Sequence, residues 1–168
     1  MTPWWPSAAF VLFLIVQRLG ELVLARRNTA RARAAGAVEH GAAHYPLIVT
    51  LHAAWLGAIA ALGFGAPVHP GWLAVFALLQ GLRIWVLATL GERWTTRIIV
   101  WPERPLVRRG PYRVLSHPNY AVVVAEIAVA PMVLGLWGVA LLFSALNAAV
   151  LAVRIRAENR ALAGAAPR

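Results

Sequence analysis

Residues 106–120 read Leu-Val-Arg-Arg-Gly-Pro-Tyr-Arg-Val-Leu-Ser-His-Pro-Asn-Tyr and form the longest polar stretch of a chain otherwise made of apolar runs. The Gly-Pro pair at 110–111 predicts a turn, because glycine tolerates unusual dihedral angles and proline fixes its own. Ser-His-Pro at 116–118 predicts a helix start, since proline at the first helical position loses no needed N–H and a capping residue precedes it. Two tyrosines, a histidine and three arginines in this stretch exceed what a connecting loop requires.

The composition indicates a membrane protein. The chain has 168 residues, of which 61% are hydrophobic and only 13% are charged, whereas soluble domains carry about a quarter charged residues. Four apolar runs approach or exceed the roughly 20 residues that cross a bilayer. We therefore predict an all-α integral membrane protein with a single domain over residues 1–168. Cysteine is absent, which excludes disulfides and thiolate metal sites.

The formal net charge of +10 comes entirely from arginine. The arginines lie in bands at the ends of the apolar runs, a pattern typical of topology signals and anionic headgroups rather than of nucleic-acid binding. We therefore expect membrane lipid as a partner and no nucleic acid. The N-terminus lacks the basic region of a cleaved signal peptide, so the first apolar run is expected to remain as a transmembrane helix.

The apolar runs and turn signals predict about five transmembrane helices. They cover residues 6–25, 45–64, 71–91, 118 to a turn at 131–138, and from there to about 162. The fourth has about 15 residues before the turn, or about 22 Å at 1.5 Å per residue, which is short for a span. We expect the last two helices to form a hairpin packed against the rest. Residues 26–44 fit either an amphipathic interfacial helix or a solvated loop.

Every arginine-rich band falls on one side of this arrangement, and every uncharged connection falls on the other. By the positive-inside rule, the N-terminus faces out, while the long basic loops and the C-terminus are cytoplasmic. The expected location is a bacterial plasma membrane.

A second set of polar residues lies inside the predicted helices. Counted at 1.5 Å per residue, Arg18, Arg83 and Glu126 lie about 10–12 Å inside the same face. Ionisable side chains in a bilayer are costly and usually face a partner or a cavity. We predict a buried polar layer, which is either the floor of a cavity or a set of paired ions that hold the helices together. Its members are Arg18, Glu21, Gln80, Arg83, Glu126 and Asn147.

Arg154 and Glu158 are four residues apart and therefore share one face of the fifth helix. They emerge on the same predicted side as residues 106–120, so the two regions can converge. Singly, each residue has an ordinary explanation: a helix-surface ion pair, a helix cap or an interfacial aromatic belt. Their combination indicates a functional site.

These residues resemble the isoprenylcysteine carboxyl methyltransferase family, polytopic membrane enzymes that use S-adenosylmethionine. The motifs that carry the resemblance are Gly-Pro-Tyr at 110–112, Ser-His-Pro-Asn-Tyr at 116–120 and Arg-x-x-x-Glu at 154–158. Residues 17–22, 27–28, 80–83 and 154–159 look closer to a bacterial subgroup that includes O-methyltransferases of long-chain alkylpyrones. The resemblance covers nearly the whole chain.

The resemblance implies a cofactor-binding C-terminal half, about residues 92–168, and places the site residue by residue. Arg154 would lie on the substrate side and is the expected catalytic arginine, while the chemistry of His117, rather than the resemblance, makes it a second catalytic candidate. Two positions depart from the family pattern: Ser116 stands where an arginine is usual, and Asn159 replaces a second glutamate. The residues implied to bind S-adenosylmethionine are Arg104, Pro105, Leu106, Val107, Tyr112, His117, Pro118, Asn119, Tyr120 and Glu158.

The chemistry of S-adenosylmethionine suits these placements. A carboxylate can hold its ammonium group, arginines its carboxylate, and tyrosines its adenine or sulfonium. The acceptor would be lipophilic, either an isoprenylcysteine-type carboxylate or the hydroxyl of a long-chain alkylpyrone or alkylresorcinol. An anionic acceptor needs only Arg154 to position it, whereas a phenol needs a base, for which His117 is the candidate.

Two other interpretations remain. One is an NADPH-dependent membrane reductase, since sterol reductases carry a similar His-Pro-Asn-Tyr segment, although they have more helices than 168 residues allow. The other is a non-catalytic lipid-binding protein whose basic loops contact headgroups. No metal site is expected, because the five histidines are scattered and the one pair with helical spacing, His40 and His44, lacks a third ligand.

Overall fold

The computed structural model of the chain describes residues 3–101 and 105–165, most of which are α-helical. Two short strands pair in one antiparallel sheet, and single turns of 3-10 helix cover residues 42–44, 91–93 and 110–113. The strands are β1 (Val38–His40) and β2 (Ile98–Val100). The α-helices are α1 (Trp5–Ala34), α2 (Tyr45–Gly63), α3 (Pro70–Leu90), α4 (Pro118–Val133) and α5 (Trp137–Ala165).

Prolines set the helix starts. The first four helices each have a proline at the first or second helical position, where its missing N–H would have no partner in any case. These local signals explain why most predicted starts agree with the structure to within a residue or two. The four prolines are Pro6, Pro46, Pro70 and Pro118.

The helices have the length and surface of membrane spans. Within the described residues, four helical segments are long and apolar enough to cross a membrane: Trp5–Ala34, Ala42–Gly63, Pro70–Arg93 and Trp137–Ala163. Large apolar side chains point outward, with Leu78 at 72% and Leu141 at 73% exposure, as expected for surfaces that contact lipid. The chain is therefore a mainly helical integral membrane protein. Because α4 has only 16 residues, the count of five spans stays a prediction.

The shortest helix, α4, lies at the centre of the bundle. It packs against α2, α3 and α5, and Ile127, Ala130 and Val133 on it are almost completely buried. Trp55 of α2 is also fully buried and donates from Nε1 to the Ile127 carbonyl at 3.2 Å. The core therefore positions α4, whose first residues carry the predicted site motif.

The first helix is longer than predicted. The apolar run predicts an end at Ala25, with residues 26–44 as a separate interfacial helix or a loop, but α1 continues without a break to Ala34. Alanine and arginine are strong helix formers, and no glycine or proline occurs between Ala25 and Gly36. Gly36, with φ of 83°, then turns the chain toward β1.

The helical content agrees with the predicted all-α membrane fold, and one small sheet that the sequence did not predict accompanies the helices. Strand β1 pairs with β2 so that Glu39 lies opposite Ile99. Three-residue strands are too short to show an alternating pattern, and only the β-branched residues of β2 favour a strand locally. Ile98 and Val100 pack against Ala161 of α5, so the sheet supports the end of the helix that carries Arg154 and Glu158.

Glu39 ties this sheet to the neighbouring segments, and we call Glu39, Arg33, Arg97 and Tyr45 the strand clasp. Arg33 and Arg97 both donate hydrogen bonds to the Glu39 carboxylate, and the Arg97 guanidinium carbon lies 4.0 Å from the centre of the Tyr45 ring. Burial alone would raise the pKa of Glu39, but the hydrogen bonds from Arg97 and Arg33 outweigh it. The pKa of Glu39 therefore lies below its ordinary value of 4.5.

Glu39→Gln should lower the stability of the detergent-solubilised protein near neutral pH by about 1 kcal/mol, because one partner is largely exposed. A depressed pKa contributes stability that is present above the ordinary value and lost as pH falls through the folded-state value. The difference in melting temperature between wild type and variant should therefore disappear on acidification. Arg26→Gln, which changes an exposed arginine, is the control, and its difference in melting temperature from wild type should not change with pH. If the difference in melting temperature between wild type and Glu39→Gln persisted unchanged in acid, it would contradict the stabilising role of the Glu39 ion pairs in the strand clasp.

Candidate functional site

The predicted site residues gather at one end of the bundle, where α3 ends, α4 begins and α5 ends. We call this end the basic face. The turn predicted at 110–111 is confirmed as a 3-10 turn over Gly110–Arg113. It lies against α3: Arg109 donates to the Thr89 carbonyl at 3.3 Å, and a Cβ on Gly110 would lie 2.7 Å from Thr89 Oγ1. With φ of +53° as well, Gly110 is the residue that permits this approach.

A hydrogen-bonded chain of Arg154, Tyr120 and Glu158 forms the centre of the site. The Tyr120 hydroxyl accepts from Arg154 Nε at 2.8 Å and donates to the Glu158 carboxylate. The Arg154 guanidinium carbon lies 5.4 Å from the centre of the Tyr120 ring, within cation–π range. Arg154 is 8% exposed. Arg154 and Glu158, which share one face of α5, therefore both contact Tyr120 of α4, whose hydroxyl lies between them.

His117 belongs to the same group. Its ring stacks on Tyr120, with centroids 5.2 Å apart and an interplanar angle of 17°. Its Nε2 lies 3.2 Å from Oδ1 of Asn159, so the asparagine that departs from the family pattern is the contact of His117. The residue occupies the capping position before α4, but its side chain makes no capping hydrogen bond, which corrects the expectation that it or Ser116 caps the helix.

Tyr112 approaches the group from the 3-10 turn. Burial raises the pKa of the Tyr112 phenol, and the negative charge of Glu158 raises it further, against a hydrogen bond from the Asn119 backbone. The Asn119 side chain in turn accepts from Trp94 Nε1 at 3.2 Å, and Pro118 is buried at the start of α4. The structure therefore brings together Arg154 and six of the ten predicted cofactor residues: Tyr112, His117, Pro118, Asn119, Tyr120 and Glu158.

Three of the four remaining predicted residues line a neighbouring cleft. Residues 90–93 and 105–109 surround an open space of about 580 Å³, within the roughly 300–1,000 Å³ usual for small-molecule sites. Pro105, Leu106 and Val107 lie on this cleft, and Arg93 donates to the Pro105 carbonyl at 2.6 Å. Arg104 lies outside the described residues. Arg109 is the last residue that lines the cleft, and it is followed directly by the 3-10 turn that carries Tyr112.

Two residues outside the predicted site, Asn28 and Trp94, support it structurally. Asn28 is 2% exposed and donates from Nδ2 to the Gly91 carbonyl at 3.1 Å and the Trp94 carbonyl at 2.8 Å. Trp94, also buried, then contacts Asn119. The signal for Asn28 in the sequence is an amide side chain near the end of a long helix, at residues 27–28, which also carry part of the family resemblance.

Deeper in the bundle, the predicted polar layer is confirmed as a connected network centred on Glu126. This carboxylate is fully buried and accepts hydrogen bonds from Arg18 at 2.6 Å, from Gln80 at 2.9 Å and from Arg83. Glu21 pairs with Arg18 at 2.8 Å, so two arginines balance two glutamates. The pairing favours the interpretation that these ions hold α1, α3 and α4 together. Asn147 of α5 is buried as well.

Comparison with known proteins agrees with the site. Residues 72–164, which contain every described member of the site, match the model of the isoprenylcysteine carboxyl methyltransferase (ICMT) family. The chain belongs to the ICMT family. It is 41% identical over 157 residues to the uncharacterised protein YpbQ of Bacillus subtilis, covering 90% of this chain and 94% of that protein.

A second relative, an uncharacterised protein of Haemophilus influenzae, is 25% identical over 162 residues, covering 92% of this chain and 94% of the relative. No solved structure matches the chain. ICMT membership supports a membrane methyltransferase, and members of the family use S-adenosylmethionine as methyl donor. The alkylpyrone-type subgroup stays a prediction, since neither relative's name describes an activity.

Glu126→Gln should destabilise the detergent-solubilised protein by about 3 kcal/mol, because it leaves buried arginine charge without its partner. The melting temperature reports the loss, with the exposed Arg26→Gln as control. Adding Arg83→Gln to Glu126→Gln should recover part of the loss, since the unpaired charge is then removed. A Glu126→Gln variant with wild-type stability would contradict the structural role of the layer.

Proposed function

We propose that the protein transfers a methyl group from S-adenosylmethionine to an oxygen atom of a lipophilic acceptor, at the cytoplasmic face of a bacterial plasma membrane. The chain of Arg154, Tyr120 and Glu158 carries the proposal, because it sets a carboxylate, an arginine and an aromatic face side by side near an arginine-lined cleft. ICMT membership supports the same class of reaction.

The residues present fit the methyl donor. Glu158, oriented by Tyr120, would hold the ammonium group, and Arg108 and Arg109 on the cleft would hold the carboxylate. The rings of Tyr112 and His117 offer faces for the adenine or the sulfonium. Pro105, Leu106 and Val107 would complete the pocket along the cleft, with Pro118 and Asn119 at the start of α4. When bound, S-adenosylmethionine supplies an activated methyl group.

Arg154 is the proposed catalytic and substrate-binding residue. Its described hydrogen bond to Tyr120 uses Nε, which lets its terminal nitrogens face an acceptor oxygen. Methyl transfer depends mainly on aligning that oxygen with the methyl carbon, and orientation of this kind can contribute several kcal/mol. An isoprenylcysteine-type carboxylate would need only this positioning. The hydroxyl of an alkylpyrone or alkylresorcinol can also require a base, for which His117 is the candidate.

The membrane arrangement follows from the same proposal. Helices α4 and α5 are joined by residues 134–136 and pack against each other, so as a hairpin they would give five crossings. The arginine-rich segments then all share the basic face, which the positive-inside rule places in the cytoplasm, with the N-terminus outside. S-adenosylmethionine would enter from the cytoplasm into the half formed by residues 92–168, and the acceptor would enter laterally from the bilayer.

Calorimetric titration of the detergent-solubilised protein tests the donor site. S-adenosylhomocysteine should bind, and Glu158→Gln should weaken it by about tenfold or more, because a charge-assisted hydrogen bond contributes about 1.5–3 kcal/mol. Glu39→Gln, which removes the same charge at the strand clasp, is the matched control and should leave the affinity unchanged.

The same titration separates the other functions. Binding of NADPH without S-adenosylhomocysteine would indicate a reductase. Binding of neither would indicate a non-catalytic lipid-binding protein and would overturn the proposal.

A further inference from the structure

Thr89 is a buried residue of α3 that the proposed function leaves without a role. It stands directly before Leu90, the last residue of α3, and is 8% exposed. Its hydroxyl donates to the Trp85 carbonyl at 2.8 Å, so a hydrogen bond within its own helix fixes the side chain. A β-branched side chain held in this way has little freedom to move aside for a neighbour.

Two residues of the basic face contact Thr89. Arg109 donates from Nη2 to the Thr89 carbonyl at 3.3 Å, and carbonyls at the end of a helix are available to such side chains. A Cβ on Gly110 would lie 2.7 Å from Thr89 Oγ1 and 3.3 Å from Thr89 Cγ2. The backbone at residue 110 therefore lies directly against the Thr89 side chain. We call Thr89, Arg109 and Gly110 the turn contact, because they attach the 3-10 turn to α3.

The turn contact lies at the edge of the proposed donor site. Leu90, the residue after Thr89, lines the cleft of about 580 Å³, and so does Arg109, the residue before Gly110. Within the turn, the Tyr112 backbone N–H donates to the Arg109 carbonyl at 3.1 Å. Arg109 and Tyr112, which flank Gly110, are both proposed to hold the methyl donor. The contact with Thr89 thus joins α3 to two residues of the donor site.

We propose that Thr89 is a positioning residue for the methyl donor, an inference that rests on the proposed methyltransferase function. The Thr89 carbonyl uses one N–H group of the Arg109 guanidinium and leaves the others for the donor carboxylate. The Thr89 side chain sets how closely Gly110 approaches α3, and therefore where Tyr112 lies two residues later. Donor affinity should then depend on the fit between residues 89 and 110, although neither is assigned a contact with the donor.

An exchange of size across the turn contact tests the proposal, measured as calorimetric affinity for S-adenosylhomocysteine. Gly110→Ala places a methyl group against Thr89 and should weaken binding by about tenfold or more, because the fixed side chain cannot yield. Thr89→Ala leaves a gap beside Gly110 and should weaken binding by about threefold or more.

The double variant of Gly110→Ala and Thr89→Ala is the decisive member of this set. It should bind S-adenosylhomocysteine more tightly than Gly110→Ala alone, because removal of Thr89 Oγ1 and Cγ2 makes room for the new methyl group. The third neighbour of that methyl group, Trp85 Nε1 at 3.3 Å, belongs to a half-exposed ring that can shift. If the two single losses simply multiplied in the double variant, the inference would be overturned.

Two further variants separate positioning from a loss of stability. Gly65→Ala is the matched control, since Gly65 also has a positive φ, +77°, but among the described residues no neighbour lies within 4 Å of the added Cβ. Gly65 lies between α2 and α3, at the opposite end of α3, so its variant should melt at a lower temperature and keep the wild-type affinity. Thr89→Ser keeps the hydroxyl that faces Gly110 and should restore the affinity that Thr89→Ala loses.

The Thr89 variants keep the test decisive if Gly110→Ala folds poorly, because they leave the glycine of the turn unchanged. A folded Thr89→Ala variant with the wild-type affinity for S-adenosylhomocysteine would overturn the inference. An equal loss of affinity in Gly65→Ala would also overturn it, since backbone strain alone would then explain the effect of Gly110→Ala. Failure of wild-type protein to bind S-adenosylhomocysteine would instead overturn the proposed function on which the inference rests.

Discussion

The hydroxyl of Tyr120 joins the start of α4 to the end of α5, because it accepts from Arg154 and donates to Glu158. A nearly buried arginine needs a partner in an apolar environment, where an isolated charge is costly. The tyrosine supplies that partner and also fixes the direction of the carboxylate. His117 stacks on the same ring, and the negative charge of Glu158 acts on Tyr112. The contacts of the Tyr120 hydroxyl therefore organise the whole site.

The short helix α4 is held at two heights. Tyr120 binds α5 near the basic face, and Glu126, six residues later or about 9 Å along the helix, binds arginines of α1 and α3. A helix fixed by polar contacts at two levels and by Ile127 and Ala130 in the core has little freedom to shift. The residues that would receive donor and acceptor are thereby built on a rigid element, as catalysis by orientation requires.

Sequence reasoning predicted the features that have local causes. Prolines predicted the helix starts, and lone ionisable residues in apolar runs predicted the polar layer, since Arg83 and Glu126 need partners there. It could not predict the pairing of β1 with β2, which joins segments far apart in the chain through three residues each. The contact of Asn28 with Trp94 and the insertion of Tyr120 between Arg154 and Glu158 likewise depend on how the helices pack.

The most direct test of this account is a double-mutant cycle between Tyr120→Phe and Glu158→Gln, measured as calorimetric affinity for S-adenosylhomocysteine. If Tyr120 acts by orienting the carboxylate, the double variant should bind no more weakly than Glu158→Gln alone, with a coupling of about 1 kcal/mol or more. Losses that add within about 0.5 kcal/mol would show that the two residues act independently, and would contradict the central role of their contact.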